Sequence, residues 1–199
     1  MDDLFLGVDA GATHTRVAVC NAEGQLMSTG VGGPGHCLYV GVKGVVKSLR
    51  EALMRASVQN CRFKAACFAS ASVWVVPEYC PCYNQLKQVI NGNIDTDQLV
   101  IENDACAALW GAFLGQPGIA CIAGTGALVL ARTHDGKVLR VGGWGHLLGD
   151  EGSAYRISLD AIQMALQAYD GVGRYTTLLA QACKSVSYTH LTLPTTPYV

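Results

Sequence analysis

The chain has 199 residues, of which half are hydrophobic and 15% are charged, and its formal net charge is −1. This length allows a substantial core in one ordinary domain or in two small ones. The near-neutral charge, without basic clusters, excludes the electrostatic pattern of nucleic-acid or anionic-membrane binding, and no apolar run is long enough to cross a membrane. The acidic start differs from a secretory signal, so we expect a cytoplasmic protein.

The first part of the chain is predicted to form an α/β unit. Leu4–Asp9, Thr15–Cys20 and Gln25–Val31 have the residue pattern and turns of a three-stranded meander. The segments that follow are predicted as a helix from Tyr39 to about Ser57, a strand at Phe63–Ser70, a helix at Tyr83–Ile90, a strand at Gln98–Ile101 and a helix from Ala105 to about Leu114. This order of elements is typical of one layered α/β unit.

A second unit with a similar start is predicted further along the chain. Its strands are predicted at Ile119–Ala123, Leu128–Arg132 and Val138–Val141. The glycine turn Gly124–Gly126 follows the first of them, as a glycine turn follows the first strand of the chain. The repeated order predicts two related lobes hinged near Pro117, an N-terminal lobe at 1–115 and the start of a second lobe at 116–185.

Two glycine-containing turns after strands are candidates for phosphate binding. Gly11–Thr13 and Gly124–Gly126 can bring backbone N–H groups close to a phosphate because little side chain intervenes, and each turn supplies a hydroxyl. Neither fits the P-loop pattern or the dinucleotide fingerprint. A single glycine turn more often only closes a hairpin, so it is the pair that favours a nucleotide site.

Two aspartates lie where strands are predicted to end. Asp9 precedes the first glycine turn, where a carboxylate can hold a hydrated Mg²⁺ beside the phosphates, or can simply cap the turn. Asp104 lies between an apolar strand and a helix, a position from which side chains reach ligands. Its carboxylate can accept the proton of a sugar hydroxyl that attacks the γ-phosphate, and the structural alternative is a helix N-cap.

The segment Gly142–Tyr155 contains five glycines, an aromatic residue and two acids, which exceeds what a simple connection needs. The glycines allow tight backbone around a ligand. Trp144 offers a flat apolar face and Asp150 can bind sugar hydroxyls, whereas His146 is predicted to be structural.

The nine cysteines are expected to be reduced residues of the core, because cytoplasmic thiols stay reduced and free cysteine packs as a small hydrophobe. Cys80 and Cys82 form the one tight pair. No second pair or histidine lies at zinc spacing from them, so we do not expect a metal there.

Four segments together resemble a known family. They are Gly7–Thr13, Asn103–Ala105, Ile122–Gly126 and, most specific of all, Gly143–Tyr155. They are similar to segments of the BadF/BadG-type ATPases and the related N-acetylglucosamine kinases, within the superfamily of acetate kinase, sugar kinases, Hsp70 and actin. The resemblance covers residues 4–170, and it implies a ribonuclease H-like, actin-type ATPase fold with a complete first lobe and a partial second lobe.

The resemblance also implies a function and roles for individual residues. It implies an ATP- and Mg²⁺-dependent kinase that phosphorylates the 6-hydroxyl of N-acetylglucosamine or glucosamine. By this resemblance Thr13 and Thr125 contact the ATP phosphates, Asp104 is the catalytic base, and Gly143, Trp144, Gly145 and Asp150 line the sugar site. The candidate ATP site is completed by Gly11, Gly124 and Gly126 from the turns and by Asp9, which is the candidate metal ligand.

Some alternatives stay open. An ATP-driven conformational activator or sugar-sensing regulator would use the same residues, and the full-length protein can be a monomer or a homodimer. Where the sugar kinases commonly place an asparagine that touches the sugar, this chain has Gly35 beside His36, so the reaction type is better defined than the sugar. Residues 186–199 resemble read-through of a sequencing adapter, and a disordered Thr/Pro-rich tail is the alternative.

Family members continue beyond the length of this chain, because the second lobe needs further strands and helices. We therefore expect the 199-residue chain on its own to be poorly soluble and inactive, without measurable affinity for ATP.

Overall fold

Strands and helices alternate through the residues that the structure, a computed structural model, describes: 3–74, 80–178, 180 and 181. The strands are β1 Phe5–Ala10, β2 Thr15–Cys20, β3 Leu26–Gly32, β4 Arg62–Phe63, β5 Ala65–Ser70, β6 Asp95–Thr96, β7 Leu99–Asn103, β8 Gly118–Ala123, β9 Ala127–Arg132 and β10 Val138–Gly142. The helices are α1 Cys37–Arg55, α2 Tyr83–Asn91, α3 Asp104–Phe113 and α4 Ala154–Tyr169. The tail predicted at 186–199 lies outside the described residues.

A five-stranded sheet in the order β3-β2-β1-β5-β7 forms the centre of the first part of the chain. Strands β1, β5 and β7 are parallel, and β2 and β3 continue the sheet as an antiparallel meander. The register places Ala10, Ser70 and Asn103 side by side at the carboxyl ends of the parallel strands. Residues that follow these three positions therefore share one edge of the sheet, the edge at which α/β proteins bind ligands.

Helix α1 covers one face of this sheet, and its amphipathic spacing explains why. Val45, Leu49 and Leu53 are buried in the core together with β-strand residues such as Val8 and Phe68. Burial of such side chains contributes about 1.5–3 kcal/mol each. The helix is interrupted at Gly41, whose φ of 65° and ψ of 170° are not helical, which is why the uninterrupted periodicity begins only after this residue.

The second part of the chain contains the three-stranded sheet β10-β9-β8 and helix α4. The described residues form two compact units: the first contains residues up to Ala120 together with Leu130–Leu139, and the second contains Cys121–Val129 and residues from Arg140 onward. The lobe limits 1–115 and 116–185 stay predictions.

Most of the predicted elements are confirmed to within a few residues, and two differ. The single strand predicted at Phe63–Ser70 is two strands, because β4 leaves the large sheet and pairs with β6 instead. Helix α4 follows the glycine-rich segment and was not predicted. Within the described ranges, no helix combines the length and hydropathy needed to cross a membrane.

Candidate functional site

The candidate residues of the first unit lie at the carboxyl edge of the large sheet; we call this group, Asp9, Gly11–Thr13, His36 and Asp104, the sheet-edge site. The turn at Gly11–Thr13 is closed by the N–H of Gly11, which donates to the carbonyl of His14 at 2.9 Å. Thr13 is exposed, and its Oγ1 lies 3.1 Å from Nδ1 of His14. The turn thus presents a hydroxyl and backbone groups to solvent, as a phosphate contact requires.

Asp9 lies on β1 directly opposite Arg16 of β2. Its carboxylate is more than half exposed and is 3.4 Å from the Arg16 guanidinium. An exposed pair of this kind contributes little to stability. Asp9 can therefore exchange this partner for a ligand without a large cost.

Asp104 is the first residue of α3, and the N-cap of this helix is its neighbour Asn103. The Asn103 side chain accepts a hydrogen bond from the N–H of Ala105 at 3.0 Å and donates to the carbonyl of Val73 at 2.6 Å. The alternative that Asp104 serves as the N-cap is therefore wrong: Asn103 occupies that position. Asp104 lies one residue further on and its Oδ1 accepts from Ala105 N at 2.8 Å.

The environment of Asp104 favours its protonated form. Burial raises the pKa of this carboxyl above its ordinary value, and the negative charge of Asp9 raises the pKa further. The hydrogen bond from Ala105 and the interaction with His36 act in the opposite direction. A carboxylate with a raised pKa is a stronger base than an ordinary aspartate, which suits proton transfer from a hydroxyl.

A pair of buried thiols contacts the segment that follows β5. Sγ of Cys80 and Sγ of Cys82 are 3.4 Å apart, and both donate to the carbonyl of Ser72. Burial and the neighbouring thiols raise the pKa of Cys82 to about 12, so it is a neutral thiol at physiological pH. The eight cysteines in the described part of the chain are free, but only four of them are buried and Cys121 is exposed, so the prediction of core residues holds for half of them.

The candidate residues of the second unit form a separate group, Gly124–Gly126 and Gly142–Tyr155, which we call the glycine-loop site. The N–H of Gly124 donates to the carbonyl of Gly126 at 2.9 Å, and the carbonyl of Gly124 accepts from Ala154 at 2.8 Å. The turn is therefore tied to the start of α4. Thr125 at its tip is exposed.

Asp150 is packed against this turn. A Cβ atom placed on Gly126 would lie 3.1 Å from Oδ2 of Asp150. Any residue other than glycine at position 126 would therefore push the carboxylate out of its present position. Asp150 is buried, and its φ of 63° is rare for a residue that has a side chain. Backbone strain of this kind collects at functional sites. The structure thus places Asp150, a predicted sugar ligand, against Gly124–Gly126, a predicted phosphate-binding turn.

Trp144 lies in the same loop with 70% of its surface exposed. The guanidinium of Arg140 is 4.2 Å from the centre of its ring, a cation–π contact that holds the indole in place. His146 is exposed and lies edge-on to Tyr155 with ring centres 5.2 Å apart; its structural role stays a prediction. Gly143 donates to the carbonyl of Ala127 at 2.9 Å and so fixes the start of the loop.

The structure therefore brings the predicted residues together in two groups. The sheet-edge site contains Asp9, Gly11, Thr13 and Asp104; the glycine-loop site contains Gly124, Thr125, Gly126, Gly143, Trp144, Gly145 and Asp150. Sequence reasoning did not assign a role to His36, which interacts electrostatically with Asp104. The sequence marks this position only as the place where the sugar kinases commonly have an asparagine that touches the sugar.

Comparison with known proteins decides the family. The model of the BadF/BadG/BcrA/BcrD ATPase family matches residues 6–192. The chain belongs to this family. Its membership confirms the predicted relationship.

Curated relatives of this ATPase family member are sugar kinases. The chain is 29% identical over 183 residues to an N-acetylmuramic acid/N-acetylglucosamine kinase from Clostridium acetobutylicum, and 28% identical over 188 residues to an N-acetyl-D-glucosamine kinase from Dictyostelium discoideum. These matches cover 87% and 88% of this chain but 56% and 58% of the relatives. The chain thus spans a little over half the length of these proteins.

Solved structures agree on the fold. A candidate N-acetylglucosamine kinase from Chromobacterium violaceum superposes with a TM-score of 0.74 at 25% identity, over 93% of this chain and 64% of that one. A ROK family glucokinase from Streptomyces griseus, solved with glucose and AMPPNP, gives 0.53 at 22% identity, over 84% of this chain and 62% of that one. The predicted α/β, actin-like ATPase fold is confirmed.

Proposed function

We propose that the chain carries the residues with which an ATP-dependent kinase phosphorylates the 6-hydroxyl of N-acetylglucosamine or glucosamine. The observation that carries this proposal is the placement of Asp104: a half-buried carboxylate with a raised pKa at the carboxyl edge of a parallel sheet, next to a second carboxylate. The sugar kinases among the relatives support it. They also favour a kinase over a conformational activator or regulator.

In this reaction Asp104 accepts the proton of the acceptor hydroxyl while the hydroxyl oxygen attacks the γ-phosphorus of ATP. The new oxygen–phosphorus bond forms as the bond to the bridging oxygen of ADP breaks, and ADP leaves with that electron pair. Phosphoryl transfer needs mostly positioning and charge stabilisation. The exposed hydroxyls of Thr13 and Thr125 are proposed phosphate contacts, together with the backbone N–H groups of each turn other than those of Gly11 and Gly124, which close the turns.

Mg²⁺ fits the residues at the sheet edge. It prefers oxygen ligands, keeps several waters and is usually held by one or two carboxylates together with substrate phosphates. Asp9 offers such a carboxylate, exposed and bound only to the exposed Arg16. Within the described ranges no group of three or more His, Cys, Asp or Glu residues could form a metal centre of its own, and this mode of Mg²⁺ binding needs none. When bound there, the ion would neutralise phosphate charge.

The glycine-loop site supplies groups suited to a sugar. The exposed ring of Trp144 can cover an apolar face of the pyranose, and Arg140 holds this ring from one side. The carboxylate of Asp150 makes no hydrogen bond to another described residue, so its oxygens are available to sugar hydroxyls. We assign Gly143 and Gly145 to the same site as backbone contacts.

The test is whether ADP release depends on an amino sugar. The experiment uses a protein that has the full length of the relatives and contains these residues. A coupled assay measures ADP release, and phosphorus NMR identifies the product. We expect turnover with N-acetylglucosamine or glucosamine, a product phosphorylated at the 6-hydroxyl, and no turnover with the matched 6-deoxy sugar. Sugar-independent ATP hydrolysis, with nucleotide-dependent binding of a partner protein, would instead identify a conformational activator.

The pH dependence of kcat/KM should report the raised pKa of Asp104. The base must be deprotonated, so activity falls as the pH falls through this pKa. The titratable groups that shift the pKa of Asp104 are Asp9 on β1, which raises it, and His36 just before α1, which lowers it. Replacing Asp9 with asparagine removes a negative charge and frees the positive Arg16, so the acidic limb should move to lower pH.

The matched control is Asp160→Asn, because Asp160 pairs with Arg156 on α4, in the other compact unit. Its pH profile should coincide with that of the wild type. An Asp9→Asn profile whose acidic limb stays in place or moves to higher pH would show that the two carboxylates do not interact as the structure indicates.

A further inference from the structure

A groove runs along the surface between α1 and α2. It has a volume of about 620 Å³, and its α1 side is lined mostly by Val42, Lys43, Val46, Lys47, Arg50 and Met54. The groove continues into a second depression, which shares Arg50 and Met54 with the first. From residue 42 to residue 54 its α1 side extends for about 18 Å, which is just over three helical turns.

The shape of the groove is fixed by packing and by hydrogen bonds. Leu53 of α1 and Leu86 of α2 are buried in one core, which holds the two helices together. Asn93, just after α2, ties the two sides of the groove. Its Oδ1 accepts from Nε of Arg50 at 2.8 Å, and its Nδ2 donates to the carbonyl of Val89 at 2.7 Å. The groove is therefore formed by the chain itself and needs no ligand to shape it.

Four residues that line the groove are apolar and reach solvent. Val42, Val46 and Val89 are partly buried, and Met54 is 60% exposed. Single exposed apolar side chains are common, whereas neighbouring ones mark surfaces for interaction. A partner that covers these four side chains removes their apolar surface from water, which is favourable.

The charged residues of the groove are mostly cations. Lys43, Lys47 and Arg50 are exposed and follow one another at spacings of four and three residues, so they lie on one side of α1. Like charges at these spacings repel each other and destabilise a helix. Neither lysine forms an ion pair with another described residue. The acid beside them, Glu51, accepts from the N–H of Gly33 at 3.3 Å. An acidic partner would supply the missing compensation.

These features define the partner. Apolar residues flanked by cations are complementary to a helix whose apolar face is flanked by acids, and a groove of three turns accommodates such a helix. A second copy of this chain does not supply it, because among the described helices α1, α3 and α4 each contain one acidic residue and α2 contains none. A membrane is a poor fit, because membrane-bound helices present a protruding apolar face and not a groove.

We propose that the groove between α1 and α2 is the docking site for an acidic amphipathic helix of a partner protein. The apolar side chains of this helix contact the valines and Met54 of the groove, and its carboxylates pair with the two lysines and Arg50. The residues that line the groove belong neither to the sheet-edge site nor to the glycine-loop site. The inference therefore goes beyond the proposed kinase function and does not depend on it.

The test measures binding of a synthetic helical peptide to the protein that has the full length of the relatives. The probe places leucines at positions i, i+3, i+4 and i+7 and glutamates beside them, and a peptide of the same composition in scrambled order is its control. We expect the probe to bind with a micromolar dissociation constant in a fluorescence anisotropy assay. The double variant Lys43→Glu, Lys47→Glu should weaken this binding by about tenfold or more. A probe with lysines in place of its glutamates should bind the double variant better than the wild type.

Lys87→Glu is the matched control, because Lys87 is an exposed lysine of α2 that does not line the groove. It should retain the wild-type affinity for the probe. Lys43→Glu alone replaces a repulsive pair at i, i+4 with an attractive one, so it should weaken binding while raising Tm by roughly 1–2 °C. Weaker binding in a more stable protein would show that the loss is not caused by unfolding.

The proposal is overturned if no probe binds, if the scrambled peptide binds as tightly as the probe, or if the double variant binds the probe like the wild type. Binding to vesicles of anionic phospholipid that is lost in the double variant, without binding of the probe, would identify a membrane contact instead. The double variant should keep the wild-type kcat for ADP release, because the groove is separate from both candidate sites. An absence of sugar-dependent ADP release would refute the kinase function and leave the peptide result unchanged.

Discussion

Replacing Asp104 with asparagine should lower kcat for sugar phosphorylation by roughly 10²- to 10⁴-fold, the usual contribution of a general base. The amide cannot accept a proton, but its oxygen can still accept the hydrogen bond that Ala105 donates to Oδ1. The N-cap of α3 is unaffected because it belongs to Asn103. The loss therefore reflects chemistry and not unfolding, and a coupled ADP-release assay with saturating sugar and ATP measures it.

Two control measurements distinguish loss of the general base from a general loss of binding or structure. The dissociation constant for a non-hydrolysable ATP analogue should be unchanged in Asp104→Asn, because Asp104 acts on the acceptor. Asp160→Asn, which removes an exposed carboxylate from α4, should retain wild-type kcat. An Asp104→Asn enzyme with a kcat within about threefold of the wild type would show that another group takes the proton.

The sequence predicts the large sheet well because its strands have a simple physical signature. β1, β2 and β3 are separated by glycine-containing or polar turns, and the apolar run at β5 lies between β1 and β7 with Phe68 fully buried. The periodicity of α1 likewise follows from a single buried face. A local sequence pattern is enough to predict a strand or helix when each face of that element lies in a single environment, buried or exposed.

The sequence predicts a residue's role less well where that role depends on partners that are distant in the chain. The short pair β4–β6 exists only because Arg62–Phe63 meets Asp95–Thr96, and two residues carry no periodicity. Asn103 and Asp104 are equally good N-caps by type, and the structure shows that Asn103 is the cap: its side chain accepts from the N–H of Ala105 and also donates to the distant carbonyl of Val73.

The candidate sites show the same division. Asp9, Asp104 and the two glycine turns are identified from the sequence, because each is a chemical group at the end of a strand. The sequence does not reveal that Asp150 packs against Gly126 or that a nitrogen of His36 is unpaired among the described residues. Each of these features depends on residues from different segments of the chain. What each residue can do is visible in the sequence, whereas which residues act together is visible in the structure.

Replacing Gly30 with alanine should destabilise the protein by about 3 kcal/mol or more, the upper range for overpacked cores. Gly30 lies on β3 where the strand crosses the backbone of α1. A Cβ atom there would be 2.0 Å from the carbonyl oxygen of Ala52 and 2.8 Å from the N–H nitrogen of Ala56. Both are backbone atoms, one within α1 and one in its C-cap residue, so the contact is relieved only if α1 and β3 separate. Urea unfolding followed by circular dichroism measures the loss.

Gly7→Ala is the matched control, because Gly7 also lies within a strand of this sheet and has an ordinary backbone conformation. Its Cβ atom would meet nothing closer than the carbonyl of Ala18 at 3.9 Å. Without a clash, alanine restricts the unfolded chain more than glycine does, so this variant should be neutral or more stable by about 0.4–1 kcal/mol. If one added methyl group has opposite effects at the two positions, the close approach of α1 to β3 is the reason that position 30 requires glycine. A general preference of the strand for alanine or glycine would affect both positions in the same way. A Gly30→Ala protein as stable as the wild type would contradict this view of the packing of α1 on β3.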